Sequence, residues 1–394
     1  MNKTNVVQNL EKAVRRLDIL IVGSNARSLY SNRGDLIKEL VSNGHSVAAV
    51  IPDYDFLTEV DSLGIPVFTY SMQRTGVNPL SDLFAIRSLV SLFRQHRPQI
   101  VFNYGVKPVI YGAIAAKLAR VPHIYGMITG LGHAYTTQSL KTRILRLIVT
   151  PLYQLGVSLT HHVFFQNPDD EAEFVQRRIV RDRSKATQIN GSGVNTRAFP
   201  QKPLPAGDAL FLFIGRLLTE KGIAEFVEAA AALRVRYPTA RFVAVGPHDP
   251  NLPHAVCGNK LEQWRKAGAV EFVGGVKDVR AWLEQCTVFV LPSYREGTPR
   301  SVLEAMSVGR PVITSDAPGC RETVIDGVNG LLVPPRDQYA LAAAMERFLA
   351  DPNLIAGMAI ESRRIAEEKY DVRKVNRVIL ETMNLIGKAN QPAT

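Results

Sequence analysis

The sequence is poor in cysteine and lacks long apolar runs. Its 394 residues include three cysteines, Cys257, Cys286 and Cys320, which are too few and too scattered for a disulfide framework or a zinc cluster. This scarcity favours a reducing, cytoplasmic compartment. No apolar run approaches the roughly 20 residues that span a bilayer, and residues 1–16 lack the apolar core of a signal peptide. We therefore expect a protein that is made and kept inside the cell.

Acidic residues are missing from a long central stretch of the chain. None occurs between Asp82 and Asp169, although the net charge of the whole protein is +11. The stretch carries nine basic residues: Arg87, Arg94, Arg97, Lys107, Lys117, Arg120, Lys141, Arg143 and Arg146. So one-sided a field favours an anionic partner, such as a membrane surface or a pyrophosphate. Nucleic acid is the weaker option because the sequence shows no stacking-aromatic or zinc-finger pattern.

The length of the chain and its alternating pattern predict two α/β domains. Short β-branched runs predict strands at 17–23, 46–52, 100–103 and 123–128, and again at 209–215, 241–246, 270–273, 288–292 and 311–315. Helical spacing predicts helices at 32–43, 80–96, 110–119, 223–237, 279–285, 301–309 and within 356–387. This order indicates parallel, doubly wound sheets, whose sites lie at the carboxyl ends of the strands. A Gly- and Pro-rich connector over 190–205 separates the two halves.

Residues 294–309, YREGTPRSVLEAMSVG, combine a helix start with two carboxylates. Thr298 is placed to cap the helix and Pro299 to be its first residue, so the helix N-terminus predicts an anion site. Glu296 precedes the helix and Glu304 lies in its second turn. One carboxylate can reach a sugar, and the other can accept hydrogen bonds from ribose hydroxyls. The alternative is that both are ordinary exposed glutamates.

Two further segments suggest contacts with a diphosphate. Residues 213–222, FIGRLLTEKG, place Arg216 and Lys221 five positions apart across a turn between a strand and a helix. Two cations beside a diphosphate neutralise its charge as it departs. The alternative is two solvated loop charges. Residues 316–322 and 327–335 form a third patch. Taken separately, each of these two segments predicts only a turn.

Together these segments resemble family 4 of the glycosyltransferases, which are retaining enzymes that use nucleotide sugars. The motifs GRLLTEKG, Glu-x7-Glu, GRPVITSD and GVNGLLVPP follow one another as in that family, and the resemblance covers nearly the whole chain. It implies the GT-B architecture, in which two Rossmann-like domains face each other across a cleft. The domains would be an acceptor-binding domain over 1–190 and a nucleotide-sugar-binding domain over 191–370. Residues 371–394 would form a helix that packs back on the first domain.

The resemblance also implies roles for particular residues. Arg216 and Lys221 would bind the donor diphosphate and Glu296 the donor sugar, and these three are the predicted catalytic residues. The predicted donor-binding residues are Gly215, Gly297, Thr298, Pro299 and Glu304 with the loop residues Arg33 and Gly34. The predicted acceptor or membrane residues are Thr129, Gly130, His133, Lys141, Arg143 and Arg146. For His133, a surface or capping role is the alternative.

The first half, with SNRGDLIKELVSNGHSV, KPVIYGAIAAKLARVP and ITGLG, resembles a subgroup that assembles bacterial surface polysaccharides and lipid-linked oligosaccharides. That subgroup implies transfer from a UDP-linked hexose or N-acetylhexosamine to a lipid-diphosphate-linked saccharide. Because Arg216, Lys221 and the helix N-terminus would stabilise the departing diphosphate, we expect neither a cofactor nor a metal. Residues 141–155 place three cations before an apolar run, which predicts peripheral binding to an anionic membrane surface at the cytoplasmic leaflet.

Other functions stay open at this point. The first alternative is a nucleotide-sugar epimerase, which has the same architecture. The second is a glycosyltransferase that acts on a soluble acceptor. The third is a non-enzymatic sugar-binding scaffold, which would need none of the catalytic residues. An oxidoreductase is disfavoured because residues 23–28 lack G-x-G-x-x-G. Residues 53–55 read Asp-Tyr-Asp, a pattern that binds a divalent ion in another glycosyltransferase architecture. Here they follow the second strand, away from the donor segments, which disfavours a metal site.

Overall fold

A computed structural model describes residues 17–53, 56–72, 78–131, 135 and 140–386. The chain divides into two compact units. The first unit takes the chain through Ile189 and again from Asn376, and the second takes Asn190–Val375. None of the described helices combines the length and the apolarity that a bilayer span requires.

The described part of the first unit contains a sheet of seven parallel strands. They are β1 (Ile19–Val22), β2 (Val47–Ile51), β3 (Val67–Thr69), β4 (Ile100–Tyr104), β5 (His123–Ile128), β6 (His162–Phe165) and β7 (Ala186–Gln188). Their order is β3-β2-β1-β4-β5-β6-β7, so the winding reverses between β1 and β4. Every residue of β1, β2 and β4 is buried, as expected for a parallel sheet covered by helices on both faces.

The helices of this unit follow the strands in the expected alternation. They are α1 (Ala26–Ser42), α2 (Leu57–Asp61), α3 (Pro79–His96), α4 (Ala113–Leu118), α5 (Leu140–Ser158) and α6 (Pro168–Gln176), with a π-helical turn at Pro108–Gly112 directly before α4. The predicted start of α1 at position 32 is wrong by two turns. The helix begins earlier because the Asn25 side chain caps it by accepting a hydrogen bond from the Ser28 N–H (2.8 Å).

The second unit contains six described parallel strands in one sheet. They are β8 (Leu210–Ile214), β9 (Arg241–Val245), β10 (Glu271–Gly274), β11 (Val288–Leu291), β12 (Val312–Ser315) and β13 (Gly330–Val333), in the order β10-β9-β8-β11-β12-β13. The helices are α7 (Ile223–Arg236), α8 (Gly258–Ala267), α9 (Arg280–Gln285), α10 (Arg300–Val308), α11 (Gln338–Ala350), α12 (Asn353–Lys369) and α13 (Val372–Thr382). The prediction of two doubly wound α/β sheets is confirmed.

The tail predicted as one helical region is two helices, α12 and α13, with a break at Tyr370 and Asp371. The connector causes the break: the Val194 N–H donates to the Tyr370 carbonyl (2.8 Å) and the Val372 N–H to the Val194 carbonyl (2.9 Å). From Asn376 onward α13 belongs to the first unit, where the Asn376 amide donates to the carboxylate of Glu39 on α1 (2.7 Å).

A buried arginine fastens the connector to the second unit. Arg310 is fully buried, and its guanidinium donates to the carbonyls of Lys202 (3.1 Å) and Pro203 (2.9 Å) in the connector. It also donates to the carbonyls of Leu283 (3.0 Å) and Glu284 (3.1 Å) in the last turn of α9. The planar fork of an arginine suits several acceptors at once, so this one side chain joins segments about a hundred positions apart.

We predict that Arg310→Met lowers the free energy of unfolding of the second unit by roughly 3 kcal/mol or more, since each buried carbonyl left without a donor costs about 1–3 kcal/mol. Both tryptophans, Trp264 and Trp282, lie in this unit, so urea unfolding followed by their fluorescence measures the change. Arg241→Met is the control because Arg241 forms an exposed pair with Glu271, which contributes little. Equal unfolding midpoints for the two variants would contradict the prediction.

Candidate active site

The predicted donor residues of the second unit gather at the carboxyl ends of three adjacent strands. Gly215 follows β8, residues 292–299 follow β11, and residues 316–320 follow β12. The winding of this sheet reverses between β8 and β11. In open α/β sheets, such a reversal leaves a crevice in which ligands bind.

Lys221 and Glu296, predicted separately from two motifs, meet in an ion pair. The Lys221 ammonium donates to Oε1 of Glu296, and the two side chains are 18% and 13% exposed. Lys221 ends a short 3₁₀ turn, Thr219–Lys221, that follows β8, whereas Glu296 lies in the loop after β11. The pair therefore joins the two strands that flank the reversal, while leaving both side chains partly accessible.

A glycine makes this meeting possible. Gly222 has a φ of +72°, and a Cβ atom at this position would overlap the carbonyl oxygen of Pro292, at the end of β11. Beside this approach, the Tyr294 N–H, two residues after Pro292, donates to the carbonyl of Glu220, two residues before Gly222 (2.9 Å). The turn that carries Lys221 can lie so close to the β11 loop only because Gly222 has no side chain.

A second close backbone approach supports Glu296 from the other side. The Glu296 N–H donates to the Pro318 carbonyl (2.9 Å), in the loop after β12. Gly319 follows with a φ of +78°, and a Cβ atom there would overlap the Glu296 carbonyl oxygen. The sequence DAPGC, which taken alone indicated only a turn, thus forms the support of a predicted catalytic carboxylate.

The helix after Glu296 begins one residue later than the capping pattern predicted. Pro299, not Thr298, is the N-cap residue, and Arg300 is the first residue of α10. The prediction of Thr298 as the capping side chain is wrong because Pro299 is extended (φ −72°, ψ 111°), and the Thr298 hydroxyl donates to the Gly297 carbonyl instead (2.9 Å). Proline has no side-chain acceptor, so Pro299 does not cap the start of α10, and a helix start without such a cap favours anion binding.

Glu304 lies on the less buried side of α10 and is held there by an arginine. Arg300, one turn earlier, donates from Nε to Oε1 of Glu304 (2.8 Å), and the two side chains are 22% and 12% exposed. Ser301 donates to the carbonyl of Ile214, the last residue of β8 (3.0 Å), and so fixes the start of α10 beside that strand. Arg216, two residues beyond Ile214, has an exposed side chain. Its predicted contact with a diphosphate stays a prediction.

Sequence reasoning missed a buried polar contact behind the ion pair. The Tyr294 hydroxyl donates to Oε1 of Glu225 (2.6 Å), which is 8% exposed in the first turn of α7. The Arg336 guanidinium lies 4.7 Å from the centre of the Tyr294 ring. Burial, together with the Glu225 carboxylate, raises the pKa of Tyr294 above its usual value. The available signal was an acidic residue within the otherwise apolar face of a predicted helix.

In the first unit, two predicted donor residues lie elsewhere than expected. Arg33 and Gly34 are buried inside α1, not in a loop, because α1 begins at Ala26. The Arg33 guanidinium lies 5.3 Å from the centre of the Tyr104 ring, at the end of β4. Burial raises the pKa of Tyr104 to about 12, and the charge of Arg33 opposes that rise. Their role toward a donor stays a prediction.

The other predicted residues of this unit fall in two places. Thr129 and Gly130 directly follow β5, and Gly130 has a φ of +113°. Lys141, Arg143 and Arg146 belong to α5, where the Arg143 side chain is exposed and Arg146 donates from Nε to the Thr142 carbonyl (3.3 Å). His133 lies outside the described residues.

The Asp-x-Asp segment is only partly described. Asp53 accepts a hydrogen bond from the Ala26 N–H at the start of α1 (3.0 Å), and Tyr54 and Asp55 lie outside the described residues. Within the part of the chain that the structure describes, no group of three His, Cys, Asp or Glu side chains is arranged to hold a metal ion.

We predict that Gly222→Ala destabilises the second unit more than Gly268→Ala does. Gly268 has nearly the same φ, +68°, but open space around it, so its substitution measures the conformational strain alone, roughly 1–2 kcal/mol. The overlap with Pro292 should add about 1–3 kcal/mol. Urea unfolding of both variants gives the difference. Equal costs would show that the turn does not need its close approach to Pro292.

Comparison with known proteins matches both halves of the chain to one kind of enzyme. The family described as glycosyl transferases group 1 matches residues 208–351, and the family described as glycosyl transferase 4-like domain matches residues 33–190. The first match contains Lys221, Glu296 and Glu304. The Gly222 and Gly319 contacts lie within it as well.

Two curated bacterial relatives and one solved structure extend this result. The N,N'-diacetylbacillosaminyl-diphospho-undecaprenol alpha-1,3-N-acetylgalactosaminyltransferase of Campylobacter jejuni is 30% identical over 345 residues, which are 84% of this chain and 89% of that protein. The UDP-Gal:alpha-D-GlcNAc-diphosphoundecaprenol alpha-1,3-galactosyltransferase of Escherichia coli is 27% identical over 70% of this chain and 73% of its own. HepE of Anabaena, in complex with UDP and glucose, has a TM-score of 0.75 at 20% identity and covers 94% of this chain and all of its own.

The family and the fold predicted from the ordered motifs are both confirmed. The structural likeness, at 20% identity, shows the shared GT-B fold, and the sequence likeness to the Campylobacter enzyme shows the family. The chain belongs to family 4 of the glycosyltransferases.

Proposed function

We propose that the protein transfers a sugar from a UDP-linked hexose or N-acetylhexosamine to a saccharide carried on a lipid diphosphate, in bacterial polysaccharide or glycan biosynthesis. Two observations on relatives support the acceptor and the base. The Campylobacter and Escherichia enzymes are both named for diphospho-undecaprenol-linked substrates, and the second is named for UDP-Gal. Both align with at least 70% of this chain.

The observation that carries the proposal is the ion pair of Lys221 and Glu296 beside the start of α10. A nucleoside diphosphate needs positive charge around its phosphates, and its sugar needs a polar anchor. Lys221 and the amino end of α10 supply the first, with Arg216 exposed nearby in the chain. Glu296 supplies the second, and Glu304 is a carboxylate for the ribose hydroxyls.

The ion pair also explains how the site stays stable without a donor. Alone, either charge would be costly at 13–18% exposure, and the pair neutralises both. A bound diphosphate attracts the ammonium of Lys221 more strongly than a single carboxylate does. Glu296 then becomes available to hydroxyl groups of the sugar and to the positive charge that develops on its anomeric carbon.

We propose that transfer proceeds on one face of the sugar, with retention. The bond between the anomeric carbon and the phosphate oxygen breaks, and the acceptor oxygen bonds to the same face through a short-lived oxocarbenium ion pair. The departing phosphate oxygen takes the proton of the acceptor hydroxyl. A nucleoside diphosphate leaves without prior protonation, so the acid and nucleophile pair of glycoside hydrolases is not needed. Positioning and electrostatic stabilisation then supply most of the catalysis.

We further propose that the reaction needs no cofactor and no metal. The work that a divalent ion does in other phosphoryl-leaving reactions is charge neutralisation. Lys221, Arg216 and the amino end of α10 are three positive elements of the chain that perform the same task.

The lipid part of the acceptor calls for contact with a membrane. Helix α5 has an exposed basic residue, Arg143, and exposed apolar side chains that include Ile144, Leu147, Ile148 and Leu155. An amphipathic helix of this kind lies at the interface of an anionic bilayer. We propose that it places the enzyme peripherally at the cytoplasmic leaflet.

The test is a screen of UDP- and GDP-linked sugars for release of the nucleotide, with and without a lipid-diphosphate saccharide in detergent. We expect UDP release that depends on the lipid-diphosphate acceptor, persists in EDTA, and yields a product with the donor's anomeric configuration by NMR. An isomerised free nucleotide sugar would show an epimerase. Equal transfer to the same saccharide without its lipid diphosphate would show a soluble acceptor.

We predict that Lys221→Ala and Glu296→Ala each lower kcat/KM by roughly 10²–10³-fold, because each removes a charge that stabilises the transition state. Lys202→Ala is the matched control, since Lys202 also forms an ion pair, with Glu284 at 3.0 Å, on an exposed surface. Circular dichroism should show that all three variants fold. A near-normal rate for either site variant would remove that residue from the catalytic assignment.

A further inference from the structure

Helix α3 of the first unit exposes apolar side chains, as α5 does. In the first two turns of α3, Leu80, Leu83 and Phe84 are 70%, 62% and 63% exposed. Their spacing of three and four positions places them on one side of the helix. Single exposed apolar residues are common on protein surfaces, but a contiguous set marks an interaction site.

The fold brings this set to the same end of the unit as the exposed side chains of α5. Helices α3 and α5 both pack against the segment formed by the π-helical turn and α4, so they lie on one face of the sheet. Each follows a parallel strand and returns antiparallel to it. The first turns of both helices therefore lie at the carboxyl edge of the sheet, where α/β proteins hold their substrates.

On α5, the exposed set nearest this edge is Ile144, Leu147 and Ile148, at 54%, 76% and 48% exposure. Together with the α3 set it forms what we call the apolar rim: Leu80, Leu83, Phe84, Ile144, Leu147 and Ile148. The two halves of the apolar rim come from segments about sixty positions apart. Sequence periodicity alone could not associate them.

The charged side chains that α3 and α5 expose beside the apolar rim are basic. Arg87 and Arg143, each a few positions from rim residues, have exposed side chains. The only acidic residue in α3, α4 or α5 is Asp82. Asp82 is 5% exposed, forms an ion pair with the Lys107 ammonium (2.8 Å) and accepts a hydrogen bond from the Tyr111 hydroxyl (2.7 Å). The fold thus buries and pairs the one acidic group of these three helices.

We infer that the apolar rim is a two-helix docking surface for an anionic phospholipid bilayer, with the α3 turn inserting beside α5. This inference rests on the proposed function and adds to it a second contact and an orientation. With both helix starts at the interface, the carboxyl edge of the first sheet is turned toward the membrane. A diphosphate headgroup then reaches that edge without leaving the bilayer surface.

The test is co-sedimentation of the full chain with vesicles of phosphatidylcholine alone or with 30% phosphatidylglycerol. We expect binding to the anionic vesicles, and a roughly ten-fold or greater loss for Leu83→Ser/Phe84→Ser because two inserted apolar side chains are removed. Val235→Ser is the matched control, since Val235 is 84% exposed on α7 of the second unit. Arg87→Gln should weaken binding to the anionic vesicles and leave binding to neutral ones unchanged. Because the substituted side chains are exposed, we expect each variant to unfold at the thermal midpoint of the wild type. A lowered midpoint would show that a variant misfolds.

Three outcomes would overturn the inference. In the first, the α3 double variant would bind vesicles as tightly as the wild type while Leu147→Ser/Ile148→Ser would bind more weakly, which would leave α5 as the sole contact. In the second, every variant would bind vesicles as tightly as the wild type does. In the third, sedimentation velocity would show that the wild type is a dimer and the α3 double variant a monomer, which would make the apolar rim an interface between copies of the chain. Failure of the proposed function is seen separately, as absent transfer to a detergent-solubilised acceptor, an assay in which the α3 variant should match the wild type.

Discussion

The contact between Lys221 and Glu296 is the interaction on which the proposed donor site of the second unit depends. It joins the ends of β8 and β11, and it forms only because Gly222 and Gly319 let three loops lie closer than side chains would allow. The buried contact of Tyr294 with Glu225 anchors the same loop from behind. The proposed catalytic groups are thus positioned by backbone proximity, and the ion pair balances their charges.

The two units share a winding but differ in how they treat the amino end of a helix. At α1, the chain satisfies its own N–H groups with the Asp53 carboxylate and the Asn25 side chain. At α10, Pro299 offers no such side chain. A helix end already occupied by an internal carboxylate repels a phosphate, whereas an uncapped one attracts it. This difference favours the second unit as the place where the donor's diphosphate binds.

Sequence reasoning reached the features that depend on local pattern and missed those that depend on distant contacts. Buried apolar strands and the ordered motifs predicted the doubly wound sheets and the family. The short strands β3 and β7 were missed because each has three residues, none of them fully buried. The break between α12 and α13 requires Val194, far away in the chain, to pair with the backbone there. The shift of the α10 start by one residue reflects the backbone of Pro299, which spacing does not reveal.

The discontinuous make-up of the first unit has a consequence for the order of events on the ribosome. The second unit is a single uninterrupted segment, whereas the first is completed only when residues from Asn376 onward have emerged and Asn376 can bond to Glu39. Domains tend to fold as units during synthesis. The segment that emerges first therefore contains most of a unit that must wait for residues beyond Val375, whereas the inserted unit can fold before those residues are available.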